Sequence, residues 1–271
     1  MSHFRGKRIV ITGASAGIGR ELVRQLAPDA PQLCLVARER QNLDEAASEA
    51  RELGGEVITV AADVTDPDAC ARVVLEAVTS FNGLDILINN VGASMWARFD
   101  DVTDLSVFPR MIEINYLSAV YMTHYALPHL SASRGIVVGL SSVAGFVGVP
   151  KRTGYSAAKF AVSGFFEALR PEVKPNGVSV TVIYPGFVTT SARDRSLGPD
   201  GLPVGKSRRD ERKGSIPVDV AARAILKGIR KRRRQVIVPR TTKAALWLKL
   251  VAPGLIDRLA TRAVREPGDK D

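Results

Sequence analysis

Six short apolar runs recur through the first 190 residues, at 8–11, 32–37, 56–61, 86–89, 135–140 and 179–184. They are rich in Val, Ile and Leu and lack polar alternation, the pattern of strands covered on both faces. Stretches of helical character separate them, at 20–27, 41–53, 67–81 and 155–173. Strand and helix in such alternation build βαβ units, so the chain is expected to fold as α/β, a Rossmann-type doubly wound parallel sheet. With 271 residues it can bury a full core in one domain.

Beyond Pro185-Gly186 the pattern changes. Residues 191–215 are rich in Gly, Pro, Ser, Arg and Asp, with few apolar anchors, and read as a mobile loop. A helix at 218–231 and a short strand at 235–239 follow. The tail, 242–265, is apolar around Trp247 and interrupted by Lys249 and Pro253-Gly254. Charge is divided unevenly. Residues 201–271 hold 19 Lys+Arg against 7 Asp+Glu, whereas residues 1–200 hold 19 against 21, so the net charge of +10 belongs to the C-terminal quarter.

Several classes are disfavoured. No apolar run reaches the ~18–20 residues of a membrane span. The first strand begins by Arg8 or Ile9, which leaves no room for a secretory signal. Cys34 and Cys70 read as buried thiols, and His3, His124 and His129 lack ligand spacing, so no metal site is expected. The basic residues accompany no nucleic-acid-binding module, and no nucleic-acid partner is expected.

The first apolar run leads into Thr12-Gly13-Ala14-Ser15-Ala16-Gly17-Ile18-Gly19. Glycines between a strand and a helix let backbone approach a pyrophosphate, which the helix N-terminus then receives. Farther on, Ser142, Tyr155 and Lys159 follow in order, with Tyr155 and Lys159 at i and i+4 on one helical face. In G-x-x-x-G-x-G spacing and in the order of these motifs, residues 6–190 resemble the short-chain dehydrogenase/reductase family.

That resemblance implies a nicotinamide cofactor held by Gly13, Ser15, Gly17, Ile18 and Gly19. Asp63 and Val64 would contact its adenine, and Asn90 and Gly92, in Asn89-Asn90-Val91-Gly92, its ribose side. Val91 departs from the family's usual alanine. Pro185, Gly186, Val188 and Thr190 would clamp the nicotinamide amide. The second strand ends in Ala37-Arg38, with no carboxylate for a ribose 2′-hydroxyl and a guanidinium suited to a 2′-phosphate, so NADP(H) is favoured over NAD(H).

The resemblance also implies the chemistry. Tyr155 would be the general acid/base, and Lys159 would bind the nicotinamide ribose and favour the phenolate. Ser142 would polarise the carbonyl. It is preferred to Ser141 because the family's serine stands thirteen positions before the tyrosine. Asn115, in Ile114-Asn115-Tyr116, would hold a water in the proton relay. A domain at 1–240, with a substrate loop at about 187–215, and an amphipathic basic tail at 241–271 are expected.

The runs around Leu140-Ser141-Ser142-Val143-Ala144-Gly145 and 160–166 are similar to the 11β-hydroxysteroid dehydrogenase and ketosphinganine reductase branches. They imply a hydrophobic ketone or secondary alcohol, lipid or steroid-like, as substrate. Family habit implies a homodimer or homotetramer. The basic run 227–234 beside Trp247, Leu246, Leu250 and Leu255 admits two readings: docking on an anionic membrane surface, or packing on its own or a neighbouring subunit. The location expected is cytoplasmic, with the inner membrane surface as the docking site. The alternative function is a cofactor-loaded scaffold acting through this basic region.

Overall fold

Ile9 and Ile11 pack into one core of the protein and Val10 into another, on the opposite face of the same strand. That double burial is why the apolar runs show no polar alternation. The computed structural model describes residues 3–190, 196–205, 215–239 and 242–264. Its strands are β1 (Arg8–Thr12), β2 (Gln32–Ala37), β3 (Glu56–Ala61), β4 (Ile86–Asn89), β5 (Ile136–Leu140), β6 (Ser179–Pro185) and β7 (Gln235–Val238). They form a wholly parallel sheet in the order β3-β2-β1-β4-β5-β6-β7. The order reverses between β1 and β4, and ligands of such sheets bind there, beyond the carboxyl ends of the strands.

Helices α1 (Gly17–Leu26) and α2 (Arg40–Glu52) cover one face, and α3 (Pro67–Phe81) the other. Asp66 caps α3 by accepting from the Asp68 amide at 2.9 Å, with Pro67 opening the helix. The sequence did not mark a long helical segment at 107–133. It comprises α4 (Val107–Ile112), a π turn (Glu113–Leu117) and α5 (Ser118–Ser133). Then α6 (Thr153–Val173) packs on β5, where the Phe166 ring lies so close to Gly139 that no Cβ could stand there. On the first face lies α7 (Val218–Arg230). Burial pushes the Cys34 and Cys70 thiols up to about 12, as suits packing residues.

The expected mobile loop is only partly described. Residues 191–195 and 206–214 lie outside the described residues, as does the 240/241 boundary proposed for the tail. Residues 196–205 are anchored, contrary to expectation. Leu197 is buried among Met95, Ala97, Val107, Met111 and Ala158, and its carbonyl accepts from the Trp96 amide at 2.8 Å.

The tail forms α8 (Lys243–Val251) and α9 (Pro253–Val264). Ala245, Leu246, Leu248 and Ile256 pack on the core, while Trp247, Leu250 and Val251 are 74–78% exposed. The expected neighbourhood of basic run and apolar tail is not found. Arg232 bonds the carbonyls of Arg134 and Gly135 and the Ser179 hydroxyl at the amino edge of the sheet. Lys249 donates to the Phe146 carbonyl at 2.8 Å, at the carboxyl edge. Between them runs β7, which carries the chain from one edge to the other.

Candidate active site

At the end of β1 the chain turns through Gly13 (φ 66°) and Gly17 (φ 55°), left-handed conformations that glycine adopts without strain. Gly19 lies in the first turn of α1, and a Cβ there would run into the Gly13 carbonyl. The N-terminus of α1 has neither a side-chain cap nor an acid in its first turn. Its amides and dipole therefore suit an anion.

Asn90 braces this turn against β4, its Nδ2 donating to the carbonyls of Thr12 (3.0 Å) and Gly13 (3.1 Å). The Thr12 hydroxyl accepts from the Asn90 amide at 3.0 Å. Asn89 points away, to Thr123 on α5 at 3.1 Å.

A continuous cleft follows the carboxyl edge of the sheet. Every residue expected at the site lines it except Gly19, which lies beneath the turn. At one end, Arg38 stands 3.8 Å from Asp63, both well exposed, while Thr65 donates its amide and hydroxyl to Asp63. Pro185, Gly186, Val188 and Thr190 form the opposite wall, and the Thr190 methyl faces Gly17.

At the other end α6 presents Tyr155 and Lys159. Lys159 Nζ is 5.8 Å from the centre of the Tyr155 ring and donates to the Leu140 carbonyl at 2.8 Å. The lysine is buried, and desolvation pushes its pKa down to about 8. Asn115 sits in the π turn and is anchored through Nδ2 to the Ala93 and Met111 carbonyls, both at 3.0 Å. Its buried Oδ1 has no protein partner. A Cβ on Gly92 would come within 2.9 Å of this oxygen and 3.2 Å of Lys159 Nζ, so Gly92 keeps the space between them clear. An orphaned acceptor, a buried cation and an uncapped helix end together fit a polar, anionic dinucleotide.

The two serines divide their roles. Ser141 is bonded to the Lys159 carbonyl and the Ser163 hydroxyl, both at 2.9 Å, and so pins α6. Ser142 donates weakly to the Pro185 carbonyl (3.3 Å) and accepts from the Ala144 amide (3.2 Å) on the cleft wall beside Tyr155. Sequence reasoning missed Arg152. It lines the cleft yet is only 8% exposed, with its guanidinium 5.0 Å from the Trp96 ring, 5.1 Å from Phe187 and 5.5 Å from Tyr155. No motif announces it, because the rings that surround it come from distant segments.

Comparison with known proteins agrees with this geometry. Residues 7–198 match the family model described as short chain dehydrogenase. The chain is 36% identical over 258 residues to 11-beta-hydroxysteroid dehydrogenase 1A of Arabidopsis thaliana, covering 93% of this chain and 74% of that protein. It is 35% identical over 257 residues to 11-beta-hydroxysteroid dehydrogenase A of Sesamum indicum, with the same coverage.

Among solved structures, a short chain dehydrogenase/reductase from Burkholderia phymatum in complex with NAD shares the fold, with a TM-score of 0.82 at 22% identity over 100% of this chain and 99% of that one. An alcohol dehydrogenase from Thermococcus sibiricus complexed with 5-hydroxy-NADP gives 0.73 at 27% identity, over 86% and 95%. Strand order, cleft and these matches lead to one assignment: the chain belongs to the short-chain dehydrogenase family, oxidoreductases acting on CH–OH and C=O groups.

Proposed function

We propose that the protein interconverts a ketone and a secondary alcohol on a hydrophobic substrate with NADP(H), Tyr155 being the general acid/base. The observation that carries this reading is the convergence of Tyr155, Lys159, Asn115 and Ser142 at one end of a cleft whose other end is the glycine turn. The cofactor, when bound, supplies or accepts the hydride. Tyr155 then gives a proton to the substrate oxygen or takes one from it, and Ser142 holds that oxygen. Lys159, as ammonium, would favour the phenolate and hold a ribose hydroxyl of the cofactor, and Asn115, whose Oδ1 has no protein partner, would hold a water of the proton relay. The test is a fluorescence titration of NADPH and NADH, followed by NADPH consumption with a panel of lipophilic ketones. Tight binding without turnover on any carbonyl or alcohol would remove this reading.

The preference for NADP(H) rests on Arg38, at the cleft end where no carboxylate follows β2 directly. Arg38→Asp should invert the preference, lowering NADPH affinity about ten-fold or more through lost phosphate pairing and added repulsion. Unchanged relative affinities for NADPH and NADH would refute the role given to Arg38.

A pH dependence follows from Lys159. Its folded value near 8 means that the free protein loses the ammonium as pH rises through about 8. Reduction needs that cation, so kcat/KM for the ketone should decline above pH 8, approaching about ten-fold per pH unit. A profile flat between about pH 7 and 9.5 would contradict the assignment.

Contact with a neighbouring subunit or a lipid surface is part of the same reading, and the exposed apolar side of α8 and α9 suits either. The basic run does not belong to that side. Among the described residues no helix is long and apolar enough to cross a membrane.

A further inference from the structure

Helix α8 lies outside residues 7–198, which match the family model, yet it meets the turn that carries Ser142. Ser142 opens that turn. Its hydroxyl accepts from the Ala144 amide at 3.2 Å and its carbonyl from the Gly145 amide at 2.8 Å, and Val143–Gly145 form one turn of 3₁₀ helix. On the side of α6 there is no slack. A Cβ on Gly145 would overlap the Ser141 hydroxyl and stand 2.7 Å from the Lys159 carbonyl oxygen.

Phe146 closes the turn, and its carbonyl accepts from Lys249 Nζ at 2.8 Å. A carbonyl at the end of a helical turn lacks a helical partner, and a lysine suits it both as donor and as cation. The same ammonium lies 4.8 Å from the centre of the Phe160 ring, and Phe160 follows Lys159 directly in α6. One side chain of the tail thus joins the segment of Ser142 to the helix of Tyr155 and Lys159. Leu246 and Leu248 set α8 in place, packing on the core that contains Phe146 and Val147.

We infer that Lys249 is a positioning residue, which holds the Ser142 turn against α6 so that the Ser142 hydroxyl meets the substrate oxygen together with that of Tyr155. This deepens the proposed reductase function and rests on it. Lys249 does not line the cleft, so it acts through the turn. Alignment of reacting groups is sensitive to displacements of about 1 Å, which a turn released at one end readily reaches.

The experiment is a double-mutant cycle of Lys249→Met and Ser142→Ala in the full chain, with NADPH and the ketone that the wild type reduces fastest. Single turnovers at excess enzyme give the rate of the reducing step, slow variants included. K249M keeps the apolar stem and loses the donor. It should lower that rate about five-fold, the scale of one hydrogen bond, with NADPH affinity within about two-fold of the wild type. K249R keeps a cationic donor and should recover at least about half of the rate. In the S142A background K249M should change the rate less than about two-fold, because no hydroxyl remains to be aimed. A merely structural role would lower the rate by the same factor in both backgrounds. An equal loss in both, or a K249M rate equal to that of the wild type, overturns the inference and leaves the reductase standing. Turnover of no ketone or alcohol by the wild type removes the reductase reading, and the inference with it.

Discussion

Tyr155→Phe should reduce turnover about a thousand-fold while NADPH affinity stays within two- to three-fold. Removing a positioned general acid typically costs between a hundred- and ten-thousand-fold. The substitution deletes only the hydroxyl. The ring remains, and with it the contacts of Arg152 and Lys159, at 5.5 and 5.8 Å from its centre. Fold and cofactor site should therefore survive, and the loss should appear in kcat. Steady-state kinetics with a fluorescence titration on the same sample separates the two. A variant retaining a tenth of the wild-type kcat would show that the proton comes from elsewhere.

Gly19→Ala should be the most damaging small substitution at the cofactor end. Helix propensity alone predicts the opposite, since alanine is better than glycine by about 1 kcal/mol in a helix interior. The geometry reverses that sign. The new methyl would meet the Gly13 carbonyl, and Asn90 Nδ2 at 2.6 Å. These are backbone and a braced side chain, not the flexible end of a long residue. Overpacking of this kind costs about 1–3 kcal/mol or more, and relief would require the turn to move off β4. A net destabilisation of about 2 kcal/mol and at least a ten-fold loss of NADPH affinity are expected, read by denaturant midpoint and titration. A variant as stable as the wild type with intact binding would mean that the turn tolerates a Cβ at this position.

Much of the architecture was legible because the sheet is buried on both sides. In β2 and β4 buried, mostly apolar runs mark the strands to the residue, and the bounds of β3 agree as well although that edge strand carries Glu56 and Thr59 and is only partly buried. The segment 107–133 was not legible. Its buried face mixes polar Asn115, Ser118 and Thr123 with the apolar residues, Pro109 and Pro128 read as breaks, and the π turn that brings Asn115 into the cleft has no local signature.

Tyr155, Lys159 and the glycine turn could be read because their chemistry requires fixed spacing along the chain. Arg152 could not, because its surroundings are assembled by tertiary packing alone. The tail misled for a related reason. Proximity along the sequence suggested that the arginines at 230–234 and Trp247 share a surface, but a strand between them carries the chain across the sheet.

Lys159 is tied twice to the end of β5, through its ammonium to the Leu140 carbonyl and through its carbonyl to the hydroxyl of Ser141, the residue that follows the strand. A helix held at one residue by both backbone and side chain can neither roll about its axis nor slip by a turn. Changes of substrate range are thereby pushed into segments outside that joint, such as 94–97 and 196–205, which close on each other through Met95, Trp96 and Leu197. Such a catalyst can diversify by exchanging its pocket walls while its proton chemistry is inherited intact, a division of labour written into two hydrogen bonds.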